Sequence, residues 1–149
     1  MIRKAVGAIV IKDKKVMLVH KVKIANTLKG KVPIKGQWDF VKGGVETCDR
    51  TLEDAVLREL WEETGSKDYR IIKRYEKPLV FHFSSSEESQ VNFTGQETTM
   101  FLVEYCGDIN KLMPQDDEID QIIFKNKDEV LDILYHEDTK NYYLSLFPF

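Results

Sequence analysis

Arg58, Glu59, Glu62 and Glu63 lie in the stretch Arg58-Glu59-Leu60-Trp61-Glu62-Glu63-Thr64-Gly65, and on a helix residues three and four apart share a face. With Leu52 at zero and about 100° per residue, Val56, Glu59, Glu63 and Glu62 fall near roughly 40°, 340°, 20° and 280°. The apolar stripe begun by Leu52, Ala55 and Val56 therefore turns acidic halfway along. A helix lying on solvent would carry its acids opposite that stripe. Glu59 and Glu63 also form a like-charge i, i+4 pair, and neither Glu59 nor Glu62 has a Lys or Arg four residues on, so the helix does not neutralise itself. Unpaired buried carboxylates are costly, and Lys67 lies beyond Gly65, where the helix should stop. Several carboxylates with no His or Cys beside them suit a hard divalent cation, Mg2+ or Mn2+. On spacing alone, a charged helix end whose glutamates face solvent stands beside that reading.

The elements that must position these residues can be read from the pattern. Arg3–Ile11 and Val16–His20 read as a β-hairpin broken at Asp13-Lys14-Lys15. From Lys21 to Lys42 six lysines face one acid, Asp39, and Gly30, Pro33 and Gly36 interrupt the run, so this segment is expected to be a basic loop, either merely solvated or an electropositive rim for a phosphorylated ligand. Trp38–Val41 reads as a short strand entering a Gly43-Gly44 turn. Thr51 or Asp49 can cap the helix that follows, Glu53 and Asp54 suit its first turn, and Gly65 ends it. Strands are expected over Arg70–Tyr75, Leu79–Phe83, Thr98–Tyr105 and Ile119–Phe124, with a polar loop at Ser84–Gln90. A second helix is expected over Lys127–Tyr135, with Asn126 as its cap. The aromatic tail Tyr142–Phe149 is expected to cover the core. This order predicts one α/β domain over residues 1–149, with helices against a mixed sheet.

The 149 residues suit one hydrophobic core. With 42% apolar and 32% charged residues and a formal net charge of -3, the chain lacks the basic surplus of a DNA-duplex-binding module. Cys48 and Cys106 are too few for a disulfide framework and lack zinc-ligand spacing, so a cytoplasmic, reducing setting is expected. The apolar run Ala5–Ile11 is too short to span a membrane, and no targeting segment is expected.

The residues resemble those of the Nudix hydrolases. That family's pattern is a Gly, five residues, a Glu, seven residues, then Arg-Glu, an aliphatic residue, any residue, Glu-Glu, any residue and Gly. Arg58 to Gly65 is similar to its second half at every specified position, and Gly43-Gly44-Val45-Glu46 resembles the first. The first half departs from it by one extra residue near Thr47–Arg50. Asp49 is the preferred stand-in for the missing Glu, because an acid there can pair with Arg58, whereas Arg50 would repel it. The resemblance implies an α/β/α sandwich with a mixed β-sheet between helices. It also implies Mg2+ or Mn2+ held by Glu59, Glu62 and Glu63, with a backbone carbonyl of Lys42 or Gly43 reaching the ion. Glu59 would also orient or deprotonate water, Glu62 would share the catalytic site, and Arg58 would hold the loop.

Gly95–Leu102 and Asp117–Asp120 are similar to the corresponding stretches of RNA pyrophosphohydrolases and dinucleoside polyphosphate hydrolases. That similarity points to Glu118, and after it Glu97, as a further metal-binding acid, and to Gln96 beside Lys42 as substrate-binding residues. The implied activity is metal-assisted hydrolysis of a phosphoanhydride in a nucleoside diphosphate linked to another group. Dinucleoside polyphosphates, 5′-triphosphate RNA ends and nucleoside triphosphates, damaged ones included, are the candidate substrates, and a small-molecule nucleotide or an RNA 5′ end the candidate partner. Phe81, Phe83, Phe93 and Phe101 are expected in the core rather than as base-stacking platforms. A non-hydrolytic nucleotide-binding or regulatory domain of the same family is the alternative.

Overall fold

The architecture is taken from a computed structural model, which describes residues 2–27, 30–82 and 94–146. Strand β1 (Ile2–Lys12) and strand β2 (Lys15–Thr27) form the expected hairpin, with Ile11 opposite Val16 and Lys12 opposite Lys15. The two turn residues, Asp13 and Lys14, have φ of 51° and 66°. Positive φ at both positions matches the turn's twist to that of the strands.

The segment expected as a basic loop is strand for most of its length. β2 continues to Thr27, and β3 (Gly30–Asp39) returns antiparallel to it, with Val19 opposite Asp39 and Lys21 opposite Gln37. The expectation failed because Pro33 and Gly36 were read as breakers. β3 is an edge strand, where a proline removes no ladder hydrogen bond that a neighbour needs. Gly36 gives room to the His20 ring, which a Cβ there would approach to 2.3 Å.

β4 (Val41–Gly44) pairs antiparallel with β1, and helix α1 (Leu52–Thr64) follows. Of the two candidate caps, Thr51 takes the role, its hydroxyl accepting from the Asp54 N–H at 3.0 Å. Gly65, at φ 75°, closes the helix by donating its N–H to the Trp61 carbonyl. Beyond it come β5 (Tyr69–Arg74), β6 (Leu79–His82) and β7 (Gly95–Tyr105), then β8 (Ile119–Asn126). Ser84–Gln90, Phe83 and Phe93 lie outside the described residues. β7 runs parallel to β1, from Ile2 opposite Gly95 to Ile11 opposite Glu104, while the other pairings are antiparallel, so the sheet is mixed.

Alternation along the strands divides the core in two. Val6, Ala8, Val10, Met17, Val19, Phe101 and Val103 pack with Ala55, Val56 and Leu60 of α1 on one face. Ile9, Val16, Leu18, Met100 and Leu102 point to the other face, as the period of two requires. That second face is covered by α2 (Glu129–Ile133) and α3 (Glu137–Ser145) through Val130, Tyr142 and Tyr143. The expected helix over Lys127–Tyr135 is thus shorter, and Asn126 does not cap it; Asp128 holds the cap position. Tyr142 and Tyr143 of the tail do cover the core, but within a helix whose buried residues are Thr139, Tyr142 and Tyr143, too short a stripe to read from sequence; residues 147–149 lie outside the described residues. With helices on both faces, the molecule is an α/β/α sandwich. No helix among the described residues is long and apolar enough to cross a membrane.

Candidate functional site

The site is built on the register between strand β4, which takes in the Gly43-Gly44 pair expected as a turn, and α1. Gly43 lies so close to Glu59 that a Cβ there would sit 2.0 Å from the carboxylate carbon; any side chain at this position would push the carboxylate aside. The chain then makes a tight turn in which the Asp49 N–H donates to the Glu46 carbonyl at 3.0 Å and the Glu46 N–H donates to Asp49 Oδ2 at 2.8 Å. That turn absorbs the extra residue. It leaves Asp49, not Arg50, facing Arg58, which donates from Nε and Nη2 to the two carboxylate oxygens, each at 2.9 Å. The same guanidinium donates to the Gly44 carbonyl at 3.0 Å, to Glu59 Oε1 at 2.9 Å and to Glu62 at 3.1 and 3.2 Å. Arg58 thereby ties loop and helix together. Its pKa is raised, above all by the Asp49 hydrogen bonds.

Glu59, Glu62 and Glu63 open on one side into a cleft of about 630 Å³, which Glu118 and Asp116 also line. Glu63 is 3% exposed, and among the described residues its Oε2 is buried with no hydrogen-bond partner. Burial first, then the charges of Glu59, Asp116 and Glu118 raise the Glu63 pKa well above the usual carboxylate range, against the pull of Lys21. Burial likewise lifts Glu59 to about 7, with Glu62 and Glu118 adding to it and Arg58 opposing. Glu118 is raised too, by burial and then by Asp116.

Tertiary contacts bring Glu118 there. The Met113 N–H donates to the Thr64 carbonyl and the Gln115 N–H to the Glu63 carbonyl, at 3.2 and 3.0 Å, so this segment is laced along the end of α1. The Glu118 carbonyl accepts from the N–H groups of Val22 and Lys23, and the Glu118 N–H donates to Asp116 Oδ1 at 2.9 Å. Glu97, the other candidate acid, instead pairs with Lys4 at 2.8 Å and is not part of the cleft lining.

The proposed substrate-binding pair is placed differently. Lys42 lines the cleft, but its ammonium is engaged by Asp39 at 3.1 Å and Thr139 Oγ1 at 3.0 Å, and lies over the Phe81 ring. Gln96 is buried and not part of the cleft lining; its Oε1 accepts from Arg3 Nη1 at 2.9 Å and its amide donates to Thr98 Oγ1. Arg3 and Asp116 reach the cleft and were missed in the sequence. Arg3 carried no signal beyond its place on a strand; Asp116 could have been found as the first of three consecutive acids. Phe101 is fully buried, and Phe81 is partly buried against the second core.

These residues fit a hard divalent cation. All the donors are oxygens, several carboxylates converge, and one buried oxygen lacks a partner. Among the described residues no three acids are already gathered at coordinating distance, because Glu59 and Glu62 lean on Arg58. Arg3, Lys4, Lys21, Lys23 and Lys31 also line the cleft, with Lys23 and Lys31 sharing Asp117 and Lys4 paired with Glu97, so an entering anion meets basic side chains beside the carboxylates.

A family model described as NUDIX domain matches residues 1–146. An RNA pyrophosphohydrolase of Helicobacter pylori is 33% identical over 90 residues, which are 57% of this chain and 57% of the relative, so the match spans little more than half the length of that protein. Among solved structures, the Escherichia coli dihydroneopterin triphosphate pyrophosphohydrolase superposes with a TM-score of 0.70 at 13% identity, over 98% of this chain and 97% of that one. The NUDIX domain of Shewanella oneidensis NrtR, complexed with ADP ribose, gives 0.66 at 18% identity, over 97% and 85%. At these identities the superpositions speak to the fold alone.

Proposed function

The chain belongs to the NUDIX domain family, and from that premise we propose that it is a metal-dependent pyrophosphohydrolase cleaving a phosphoanhydride bond in a nucleoside diphosphate linked to another group. The observation that carries this reading is the buried, unpartnered Glu63 Oε2 at the floor of an acidic cleft with basic walls. Glu59, Glu62, Glu63 and Glu118, with a backbone carbonyl of Gly43 or Lys42, would hold Mg2+ or Mn2+. Bound there, the ion neutralises phosphate oxygens and lowers the pKa of water.

The chain's own residues do the rest. Arg58 holds Glu59 Oε1, leaving Oε2 to accept a proton from the attacking water. A carboxylate oxygen held in place this way is suited to general-base work on a bound water. The water oxygen bonds to phosphorus, the anhydride P–O bond breaks, and the leaving phosphate keeps the electron pair. Arg3 and Lys23, which line the cleft, would neutralise the phosphates. Of the candidate substrates, a 5′-triphosphate RNA end is favoured, because the similar curated proteins carry the name RNA pyrophosphohydrolase; dinucleoside polyphosphates and nucleoside triphosphates follow. A cytoplasmic setting belongs to the same proposal, supported by the free, exposed Cys48 and Cys106.

The test is incubation with triphosphorylated RNA, dinucleoside polyphosphates, nucleoside triphosphates and nucleotide sugars in Mg2+ or Mn2+, with products identified by mass. Release of pyrophosphate or of a nucleoside monophosphate, lost in Glu62→Gln and Glu63→Gln, is expected. Saturable nucleotide binding without any bond cleavage would overturn the proposal in favour of a binding domain.

A further inference from the structure

Strand alternation sends Val19 toward α1 and Leu18 toward the opposite core, so Lys21 emerges on the α1 side, where it lines the cleft with Glu59, Glu63 and Glu118. Its side chain is only 19% exposed, and its ammonium lies 3.4 Å from Asp39 Oδ2. Asp39 Oδ1 is 3.1 Å from the Lys42 ammonium and also accepts the Phe40 N–H. One buried carboxylate thus serves two lysines, and the trio carries a surplus positive charge. Thr139 and the Phe81 ring complete the surroundings of the Lys42 ammonium. Of the two lysines it is Lys21 whose charge acts on Glu63 and Glu118, whereas burial lowers the Lys42 pKa and its acids are Asp39 and Asp138; among the described residues Glu63 Oε2 has no hydrogen-bond partner. Burial works against the charge on Lys21, but Asp39, then Glu63, outweigh it and raise its pKa.

We propose that Lys21, anchored by Asp39, is a built-in cation of the carboxylate cluster, which offsets Glu63 and Glu118 and keeps divalent-metal affinity low until an anionic substrate arrives. The proposal rests on the metal-site reading above. A fixed positive charge beside two carboxylates opposes a second cation at the same acids. An entering phosphate restores the balance, so metal and substrate bind each other's complex more tightly than the free protein. Lys21 is a positioning residue in this scheme: it sets the field at the floor.

The test uses Mn2+ alone, titrated into the substrate-free protein with free Mn2+ read by electron paramagnetic resonance, for wild type, Lys21→Met and Lys21→Arg. Lys21→Met keeps most of the aliphatic stem and leaves Asp39 paired with Lys42. It should tighten Mn2+ binding at least tenfold, since one unit charge removed about 5 Å from a divalent ion is worth roughly 1.7 kcal/mol even at the screening of bulk water. Lys21→Arg, which keeps the charge, should match wild type. A residue that merely supports the fold would change affinity in the other direction. Unchanged or weaker binding in Lys21→Met, with native circular dichroism, overturns the proposal while leaving the metal site standing. Absence of Mn2+ binding by the wild-type protein overturns the metal reading and this proposal with it. If Lys21→Met does not fold, Lys21→Gln gives the same readout.

Discussion

Replacing Asp49 by Asn tests whether the lengthened loop is braced as the structure shows. Asp49 accepts two hydrogen bonds from Arg58, both at 2.9 Å, and one from the Glu46 N–H, with its side chain 3% exposed. An amide keeps one acceptor and turns a donor toward the guanidinium, so one charge-assisted bond is lost and the other keeps only the charge of its donor. Bonds to charged groups contribute about 1.5–3 kcal/mol each. Glu59 and Glu62 still face Arg58, so the guanidinium is not left as an unpaired charge, and the net cost should be about 2–3 kcal/mol. For a domain of this size that corresponds to a fall of roughly 4–12 °C in Tm. Arg50 is exposed, and Arg50→Ala should stay within about 0.5 kcal/mol of wild type. Urea and thermal unfolding of Asp49→Asn, Arg50→Ala, Arg58→Met and the Asp49→Asn/Arg58→Met double variant supply the comparison. The double variant should cost less than the sum of the two singles. An Asp49→Asn protein as stable as wild type, or an Arg50→Ala protein as damaged as Asp49→Asn, would refute the reasoning.

Three further outcomes are expected. Glu59 titrates near 7 in the folded protein, above its ordinary range, so its contribution to stability is full at low pH and is lost as pH rises through 7; the gain in Tm from Mg2+ over EDTA should therefore be larger at pH 8 than at pH 5, and an equal gain at both counts against it. Asp39 is the opposite case, since Lys42 and Lys21 outweigh burial and hold it at about 2; about 2 kcal/mol of stability present above pH 4 should drain away as pH falls toward 2, and Asp39→Asn should lose that acid-side slope in urea titrations. Gly43→Ala places a methyl group on the Glu59 carboxylate, the far end of a flexible side chain; it should turn aside at little cost in Tm while turnover drops about 100-fold, and unaltered turnover would show that Glu59 does not act from this position.

The stretch from Arg58 to Gly65 was legible because helix geometry is local. Rotation by about 100° per residue puts Glu59 and Glu63 in line with Leu52 and Val56 before any tertiary contact is known, and Gly65 marks the C-terminal end by its own backbone chemistry, whereas the choice of Thr51 over Asp49 as N-cap came from the structure. Strands β1, β7 and β8 were legible for the same reason. The arm formed by β2 and β3 was not, since whether Pro33 breaks a strand depends on whether that strand has a neighbour on its other side. Helix α3 was not, since a nine-residue element with three buried side chains leaves too little periodicity to see.

The sequence by itself thus determined the carboxylate-bearing helix, its glycine stop and the family to which the chain belongs, all carried by residues within a few turns of one another. Only the tertiary structure decided that Asp49 rather than Arg50 meets Arg58, that Glu118 rather than Glu97 lines the cleft with Glu63, and that one buried Asp39 holds both Lys21 and Lys42. Each of these depends on pairings between residues distant in the chain. The energy that selects among them, burial of charge against its nearest counter-charge, does not exist until the sheet has closed on the helix.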